Sequence, residues 1–454
     1  MKQKVVRLGQ EKVNKLLLRL SFPAVVGMVA NALYNLVDTI FVGRGVGPLA
    51  IGALAIAFPL QMLIVAIAQT IGIGAGSAVS RSLGAGKVER AKCVVGNSFF
   101  CIIALSLTVS VIGLIFIEQI LLFFGATQTI LPYARDYVVV ILWGLTFFSF
   151  AISSNNLIRA EGNARVAMVS MLIGAILNII LDPIYIFVFN LGIQGAALAT
   201  ITAQFCSFVY ILHYIYGKET SLTIKLHHLK PNLSIIKEII IVGLPSFARL
   251  SSGSISTLLV NQSLRFYGGD LAIIILGVII KITRFLFMPM FGVVQGMQPI
   301  AGYNYGARQY NRVFEVLNLT IKVLLILSSF LCLIVILWPA QVITIFTTDL
   351  EVIQTGIPIM RIMLFSIPVL SIQITGATLF QALGKAMPAI VFSLLRRVLL
   401  FIPLIVILPR FTQLGLLGIW VSYPIADILS AIITWFFLKN EIQKIRKESA
   451  VYSL

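Results

Sequence analysis

The chain alternates long apolar runs with short polar breaks from end to end, and the runs are continuous, with no alternation of polar and apolar positions. A run of roughly 20 apolar residues is what a helix needs to cross about 30 Å of hydrocarbon. About twelve such spans are predicted, over 16–42, 48–73, 90–117, 131–153, 163–188, 191–216, 236–263, 270–296, 312–338, 351–375, 386–408 and 412–438. A membrane barrel would show segments of about ten residues with alternating polarity. The expected fold is therefore all-α and integral to the membrane, with the lipid bilayer as its surroundings.

Composition agrees: 59% of the 454 residues are hydrophobic and 11% charged, with mean hydropathy +1.02. A soluble domain carries about twice that charged fraction. The net charge of +18 is spread over particular loops instead of forming an aromatic-interleaved patch, so it argues for topology and against nucleic acid. About 23 of the 34 Lys and Arg fall at the N-terminus, in alternate loops and in the tail, Lys2, Lys4, Lys218 and Lys447 among them, and the positive-inside rule then predicts that both termini are cytoplasmic. The basic leader runs directly into a helix too long for a cleaved signal segment, so the first span is expected to stay in a cell's inner (plasma) membrane. Cys93, Cys101, Cys206 and Cys332 lack metal or redox spacing and read as small core residues.

The chain also repeats itself. Pro23 falls on Pro245, Gly74 on Gly296, Gly84 on Gly306 and Arg90 on Arg312, always 222 residues apart. "LIRAEGNARVA" from 157 falls in the same way on "LFQALGKAMPA" from 379. Each half holds six spans, so the two halves share one orientation, a parallel repeat of the kind that binds substrate between halves near the midplane. The expected layout is an N-lobe over 1–216, a cytoplasmic linker over 217–235, a C-lobe over 236–438 and a tail over 439–454. His213, His227 and His228 lie in or beside that linker and are expected to be solvated. Pro23 and Pro245 each remove a backbone hydrogen bond near the start of equivalent helices, which suits either paired bends or simple helix entry.

Against this apolar background the buried polar residues stand out. In "NALYNLVDTIFVG", residues Asn31, Tyr34, Asn35 and Asp38 recur at i, i+3, i+4 and i+7, along one stripe of the first helix. The fifth span carries Asn178 and Asp182 four apart, followed by Pro183, which disrupts the bond to the carbonyl of Ile179. The sixth span carries Ala196, Thr200 and Gln204 at the same spacing. A carboxylate at the bilayer centre costs about 2.5–3.5 kcal/mol on insertion scales. If these faces converge, they form an oxygen-rich set suited to a proton or a hard cation such as Na⁺, and the residues do not choose between the two. The first half has no basic residue at membrane depth, whereas the second has Arg249, Lys281, Arg284, Lys322, Arg361, Arg396 and Arg397. Cross-lobe pairs such as Asp38 with Lys281 or Arg284 are a competing reading, and Asp427 is expected to pair with a base.

The segments "LVDTIFVGR" (36–44), "GIGAGSAVSRSLGAG" (72–86), "LIRAEGNARVAM" (157–168), "LNIILDPIYIF" (177–187), "GIQGAALAT" (192–200) and "MPMFGVVQGMQPIAGYNYGAR" (288–308) together resemble the multidrug and toxic compound extrusion (MATE) family across essentially the whole chain. The acid in the first span is similar to that of the DinF-type branch, and the central acids of the NorM-type seventh and tenth spans are missing here. The resemblance implies two six-helix lobes and export of cationic, amphipathic small molecules by alternating access, coupled to H⁺ or Na⁺, with no cofactor and no enzymatic reaction. It further implies a cation site at Asp38, Asn178, Asp182, Thr200 and the Ala196 carbonyl, with Tyr34, Asn35 and Gln204 as neighbours. A substrate cleft is implied where Asn31, Met288, Met290 and Met297 offer adaptable surface. One chain holds both lobes, so a monomer suffices. A lipid-linked oligosaccharide flippase of the same superfamily, favouring a cationic cavity, is the alternative, followed by a non-transport membrane protein with structural acids. No P-loop, HExxH or GxSxG segment is present to support catalysis.

Overall fold

The computed structural model describes residues 3–217, 220, 222–411 and 413–451, and within these it is helical with no strand. Lys2, Lys218 and the side chains of Lys4 and Lys447 lie outside the described residues. The helices are α1 (Gln3–Gln10), α2 (Val13–Gly45), α3 (Pro48–Gly84), α4 (Val88–Ile115), α5 (Ile117–Phe123), α6 (Leu131–Trp143), α7 (Leu145–Ala160), α8 (Ala164–Pro183) and α9 (Gly192–Tyr216) in the first half. The second half contains α10 (Leu233–Gly306), α11 (Tyr310–Leu337), α12 (Pro339–Thr344), α13 (Leu350–Leu364), α14 (Leu370–Ala382), α15 (Ala386–Leu394), α16 (Ile402–Phe411) and α17 (Leu416–Val451).

Ten of the helical stretches are long and apolar enough to cross a membrane, and α6 with α7 makes an eleventh crossing bent by 58°. The twelfth comes from α10, whose 74 residues break at Gly269, where φ is 62° and ψ −159°. Glycine adopts that conformation without a Cβ clash, so the seventh and eighth spans meet there with no intervening loop. The bend between α6 and α7 falls at Gly144, where a Cβ would stand 2.4–2.8 Å from Ile201 side-chain atoms. The missing side chain lets α9 pack into the bend.

The two lobes meet through the same 222-residue repeat. A Cβ at Gly84 would lie 1.9 Å from the Tyr303 carbonyl oxygen, and one at Gly306 would lie 2.1 Å from the Arg81 carbonyl oxygen. Tyr303 is the repeat equivalent of Arg81, so the two contacts are one contact related by the pseudo-twofold. Likewise Gly74 meets Ile239 and Gly243 while Gly296 meets Ser21, the equivalent of Gly243. Backbones approach this closely only where both surfaces are nearly bare. Ser77 adds a hydrogen bond of 2.7 Å to the Gln381 carbonyl, and Ser21 one of 3.2 Å to that of Val293.

These approaches all lie toward the end that carries the termini and the basic loops. Arg90 and Arg81 both pair with Glu238 there, at 2.7 and 2.9 Å. Arg312, the equivalent of Arg90, donates instead to the Glu11 carbonyl at 2.6 Å and so ties the segment after α1 to the C-lobe. Pro23 and Pro245 stand well inside α2 and α10, so neither marks helix entry.

His228 is buried, contrary to the expected solvated linker. Its Nδ1 accepts the Lys225 amide at 2.9 Å and its Nε2 lies 3.2 Å from Glu89, while Gly96 of α4 leaves room for the His228 carbonyl. With His227, these donor atoms lie within 4.8 Å of one another, but His228 is already engaged by Lys225 and Glu89, Glu89 is paired with Lys92 at 2.5 Å, and His227 is exposed.

Candidate cation site of the N-lobe

Three helices of the first half bring the site together, with α2 against α8 and α8 against α9. The approach of α9 depends on Gly195, where a Cβ would be 2.8 Å from the Tyr185 carbonyl oxygen. Tyr185 belongs to a π-helical turn, Ile184–Val188, that follows Pro183 directly. Proline supplies no amide hydrogen and crowds the carbonyl four residues earlier, and a wider turn relieves the ladder at that point.

Asp182 is fully buried, and Asp38 on α2 is 9% exposed. Their carboxyls are close enough to interact directly. Asn178, one turn before Asp182, donates from Nδ2 to Thr200 Oγ1 at 3.2 Å and to Asp182 Oδ1 at 3.4 Å. Ala196, buried, and Thr200 occupy successive turns of α9 beside it. Gln204 lies a turn further along, with its amide near Gly174 of α8.

Among the described residues Asp38 and Asp182 form no ion pair with any Lys or Arg. Asp38 Oδ1, Asn178 Oδ1 and Asp182 Oδ2 are buried and have no hydrogen-bond partner. Buried polar atoms are otherwise almost always satisfied, and two adjacent carboxylates in a low-dielectric site do not both stay charged without a neutralising proton or cation. All three unpartnered atoms are oxygens able to accept a proton or to ligate a hard cation.

Not every predicted member is present. Tyr34 and Asp38 are buried toward α8, whereas Asn35 is exposed and Asn31 half-buried. The Asn35 amide is spent on its own helix, donating to the Asn31 carbonyl at 2.7 Å and to the Asn31 side chain at 3.2 Å. The predicted stripe of four is thus divided, because α8 covers only one flank of it. Arg284 reaches across to the N-lobe but stands over the ring of Phe58, 5.2 Å from its centroid, and neither it nor Lys281 pairs with Asp38. Asp427, 1% exposed, pairs with Arg396 at 2.5 Å and accepts from Ser366 Oγ at 2.7 Å, a contact within the C-lobe. Met290 and Met297 are fully buried and offer nothing to a ligand, while Met288 is half-buried. The eighth span packs too closely on α2 there, with Gly292 against Val25 and Gly296 against Ser21.

One neighbour escaped the sequence reading. Tyr137 on α6 is buried within electrostatic reach of Asp38, Asp182 and Tyr34, and its hydroxyl accepts from Gln61 Nε2 at 2.9 Å. Its signal was weak, because a tyrosine in an apolar span is ordinarily core.

The MatE family model matches residues 23–184 and again 245–407, two matches that begin one repeat apart. The chain is 27% identical over 420 residues to the multidrug export protein MepA of Staphylococcus aureus strain MSSA476, covering 92% of each chain. To MepA of Staphylococcus haemolyticus it is 25% identical over 429 residues, covering 94% of each. Among solved structures it is similar to an outward-facing multidrug resistance MATE transporter of the MOP superfamily, with TM-score 0.94 and 28% identity over 98% of this chain and 100% of that one. A Pyrococcus furiosus MOP superfamily transporter, described as having a binding pocket of reversed polarity, matches with TM-score 0.93 and 28% identity over 98% and 99% of the two chains. A twelve-span, two-lobed fold, a repeat matched twice by one family model, and relatives covered from end to end place this chain in the MatE family of multidrug efflux transporters.

Proposed function

We propose that this protein is an antiporter that exports cationic, amphipathic small molecules by alternating access, driven by inward movement of H⁺ or Na⁺ through the site at Asp38, Asn178, Asp182 and Thr200. The observation that carries this reading is the trio of buried, unpartnered oxygens on Asp38, Asn178 and Asp182. An ion drives a conformational change only if it binds the two states with different affinity. Here the site spans α2, α8 and α9, so occupancy acts on the packing of α2, the helix that also carries Ser21 and Val25 of the lobe seal.

The positive-inside pattern supports cytoplasmic termini in a bacterial plasma membrane. On that orientation the seal at Gly74, Gly84, Gly296 and Gly306 closes the cytoplasmic side and the cleft faces outward. The lobes would divide at the 217–235 linker, and one chain suffices for the cycle.

The test is ethidium efflux from reconstituted vesicles under an imposed pH or Na⁺ gradient, comparing the parent with Asp38→Asn. Efflux that follows one gradient and vanishes in the variant while ethidium still binds identifies the ion and assigns coupling to Asp38. Undiminished efflux in the variant returns Asp38 to a structural role.

A further inference from the structure

Beside the seal, at the end that carries the basic loops, a cavity of about 200 Å³ lies between the lobes. Arg81, Ser82, Lys87 and Arg90 line it from the N-lobe, Glu238 and Tyr305 from the C-lobe. Its walls thus hold three cations and one carboxylate. Glu238 gives one oxygen to each arginine, Oε1 to Arg81 at 2.9 Å and Oε2 to Arg90 at 2.7 Å, so neither guanidinium is held as a two-pronged pair. Arg90 spends a single Nη on that contact. Lys87 is exposed and has no acidic partner among the described residues. Arg81 is fixed more firmly, because its Nε donates to the Ser77 carbonyl at 3.2 Å and its guanidinium lies against Gly384, where a Cβ would be 2.5 Å away.

The internal repeat shows what this place accommodates. The residues 222 positions after Arg81, Ser82, Lys87 and Arg90 are Tyr303, Asn304, Gln309 and Arg312, and all four meet α1 or the residue that follows it. A Cβ at Gly9 would lie 2.8 Å from the Tyr303 ring and 3.4 Å from Gln309 Oε1. Asn304 Nδ2 donates to the Leu8 carbonyl at 2.9 Å, and Arg312 donates to the carbonyls of Leu8 and Glu11 at 3.4 and 2.6 Å. On that side the single cation is met by carbonyl oxygens at the negative end of a helix. The residues equivalent to α1, 225–232, pack instead against Gly96 and Asn97 of α4, and the place around Arg90 stays a cavity. It is also more positive than its counterpart, since Arg81 and Lys87 stand where the other side has Tyr303 and Gln309, and Glu238 offsets only one of them.

We infer that this inter-lobe cavity is a binding site for a phosphate-class oxyanion, held by the remaining donors of Arg90, by Lys87 Nζ and by the pre-set guanidinium of Arg81. Charge-assisted bonds from guanidinium and ammonium groups to phosphate oxygens belong to the strong class. The volume is several times the roughly 30 Å³ that one water molecule occupies in the liquid. The anion is either a soluble phosphate or the headgroup of a lipid in the leaflet on that side. Both lobes supply the walls, so the anion binds when the lobes are closed at this end and shifts the population toward that state. It acts as a brake on any cycle that must part the lobes here. Only the brake rests on the export reading; the binding does not.

The experiment is calorimetric titration of the full-length protein, in a neutral maltoside detergent at fixed ionic strength, with inorganic phosphate and with dihexanoyl phosphatidylglycerol. The parent is expected to bind at one site. Lys87→Gln and Arg90→Gln, both at exposed positions, should weaken that binding about tenfold, the scale of one lost charge-assisted contact. Glu238→Gln should tighten it about threefold, the scale of one partly exposed charge pair, because it removes the competing carboxylate. A merely structural role for these residues predicts the opposite, since loss of the Glu238 contacts loosens the interface. Binding of phosphate assigns the site to soluble anions, and binding of the phosphatidylglycerol alone assigns it to a headgroup. No binding of either, equal affinity in the parent and both basic-residue variants, or weaker binding in Glu238→Gln overturns the proposal. Ethidium efflux that is unchanged with the anion bound overturns the brake. Absence of efflux even without the anion defeats the export reading instead and leaves the site standing.

Discussion

Asn178 donates from one amide nitrogen to Thr200 on the neighbouring helix, at 3.2 Å, and to Asp182 one turn along its own helix, at 3.4 Å. This shared donor fixes where the Asp182 carboxyl sits relative to α9 and leaves the Asn178 carbonyl oxygen turned into the site without a partner.

The consequence is measurable. Asn178→Leu keeps the volume and removes both the donor and the free acceptor, and it should lower gradient-driven efflux about fivefold or more, the scale of one net hydrogen bond, by weakening ion binding. Thr200→Ser keeps the hydroxyl and should stay near the parent. Thermal stability in detergent, followed across a Na⁺ series and a pH series, separates the two effects, because an ion that binds only the folded state stabilises it by mass action. The parent should gain stability in one series and Asn178→Leu should gain less. Equal gains would remove Asn178 from the site.

The pseudo-symmetric seal yields a second prediction. A Cβ at Gly84 would lie 1.9 Å from the Tyr303 carbonyl oxygen, and Gly306 faces the Arg81 carbonyl oxygen in the same way. The contact is backbone, so no side-chain rotation relieves it. Gly84→Ala should therefore disfavour the closed arrangement of this end while leaving each lobe intact, and should slow transport at least tenfold. Ser77, fully buried beside the seal and bonded to the Gln381 carbonyl, provides the readout. On a background with the four natural cysteines replaced, Ser77→Cys should react slowly with a membrane-impermeant thiol reagent added from the basic-loop side, and quickly once Gly84→Ala is added. Unchanged labelling would show that the close approach is tolerated.

Much of this architecture could be read from residue order alone, and the limit lies where distance between elements begins to matter. The 222-residue offset placed Gly84 on Gly306 and Gly74 on Gly296, and those glycines prove to be where the lobes touch, because only small residues at equivalent positions allow a twofold backbone contact. The acids of α2 and α8 were legible because a carboxyl in an apolar run needs a reason. The division of the stripe from Asn31 to Asp38 was not, since helical spacing fixes a face but not which flank of it a neighbour covers. Nor was the choice of Arg396 for Asp427 over a cross-lobe partner for Asp38. Both assignments depend on which helices are neighbours, and periodicity within one helix carries no such information. Met290 and Met297 were misplaced for the same reason, being at an interface packed by Gly292 and Gly296 and not in the cleft.

The pair of Arg396 with Asp427 supports the last prediction. Asp427 is 1% exposed and its two oxygens are taken separately, one by Arg396 at 2.5 Å and the other by Ser366 at 2.7 Å. Removing one member of a buried ion pair leaves an uncompensated charge and costs about 3–5 kcal/mol, more than the pair itself is worth. Arg396→Gln should therefore destabilise the C-lobe strongly, because it strands a fully buried carboxylate among α13, α17 and the turn that carries Arg397. Asp427→Asn should be milder, since the Arg396 side chain is 20% exposed and keeps the ring of Phe287. The double variant Arg396→Gln with Asp427→Asn should recover most of the stability lost in Arg396→Gln, because both charges are then gone and an amide pair can occupy the same space. Thermal unfolding of all three in detergent tests this order. If the double variant is no more stable than Arg396→Gln, the loss comes from the arginine's packing against Phe287 and not from the stranded acid.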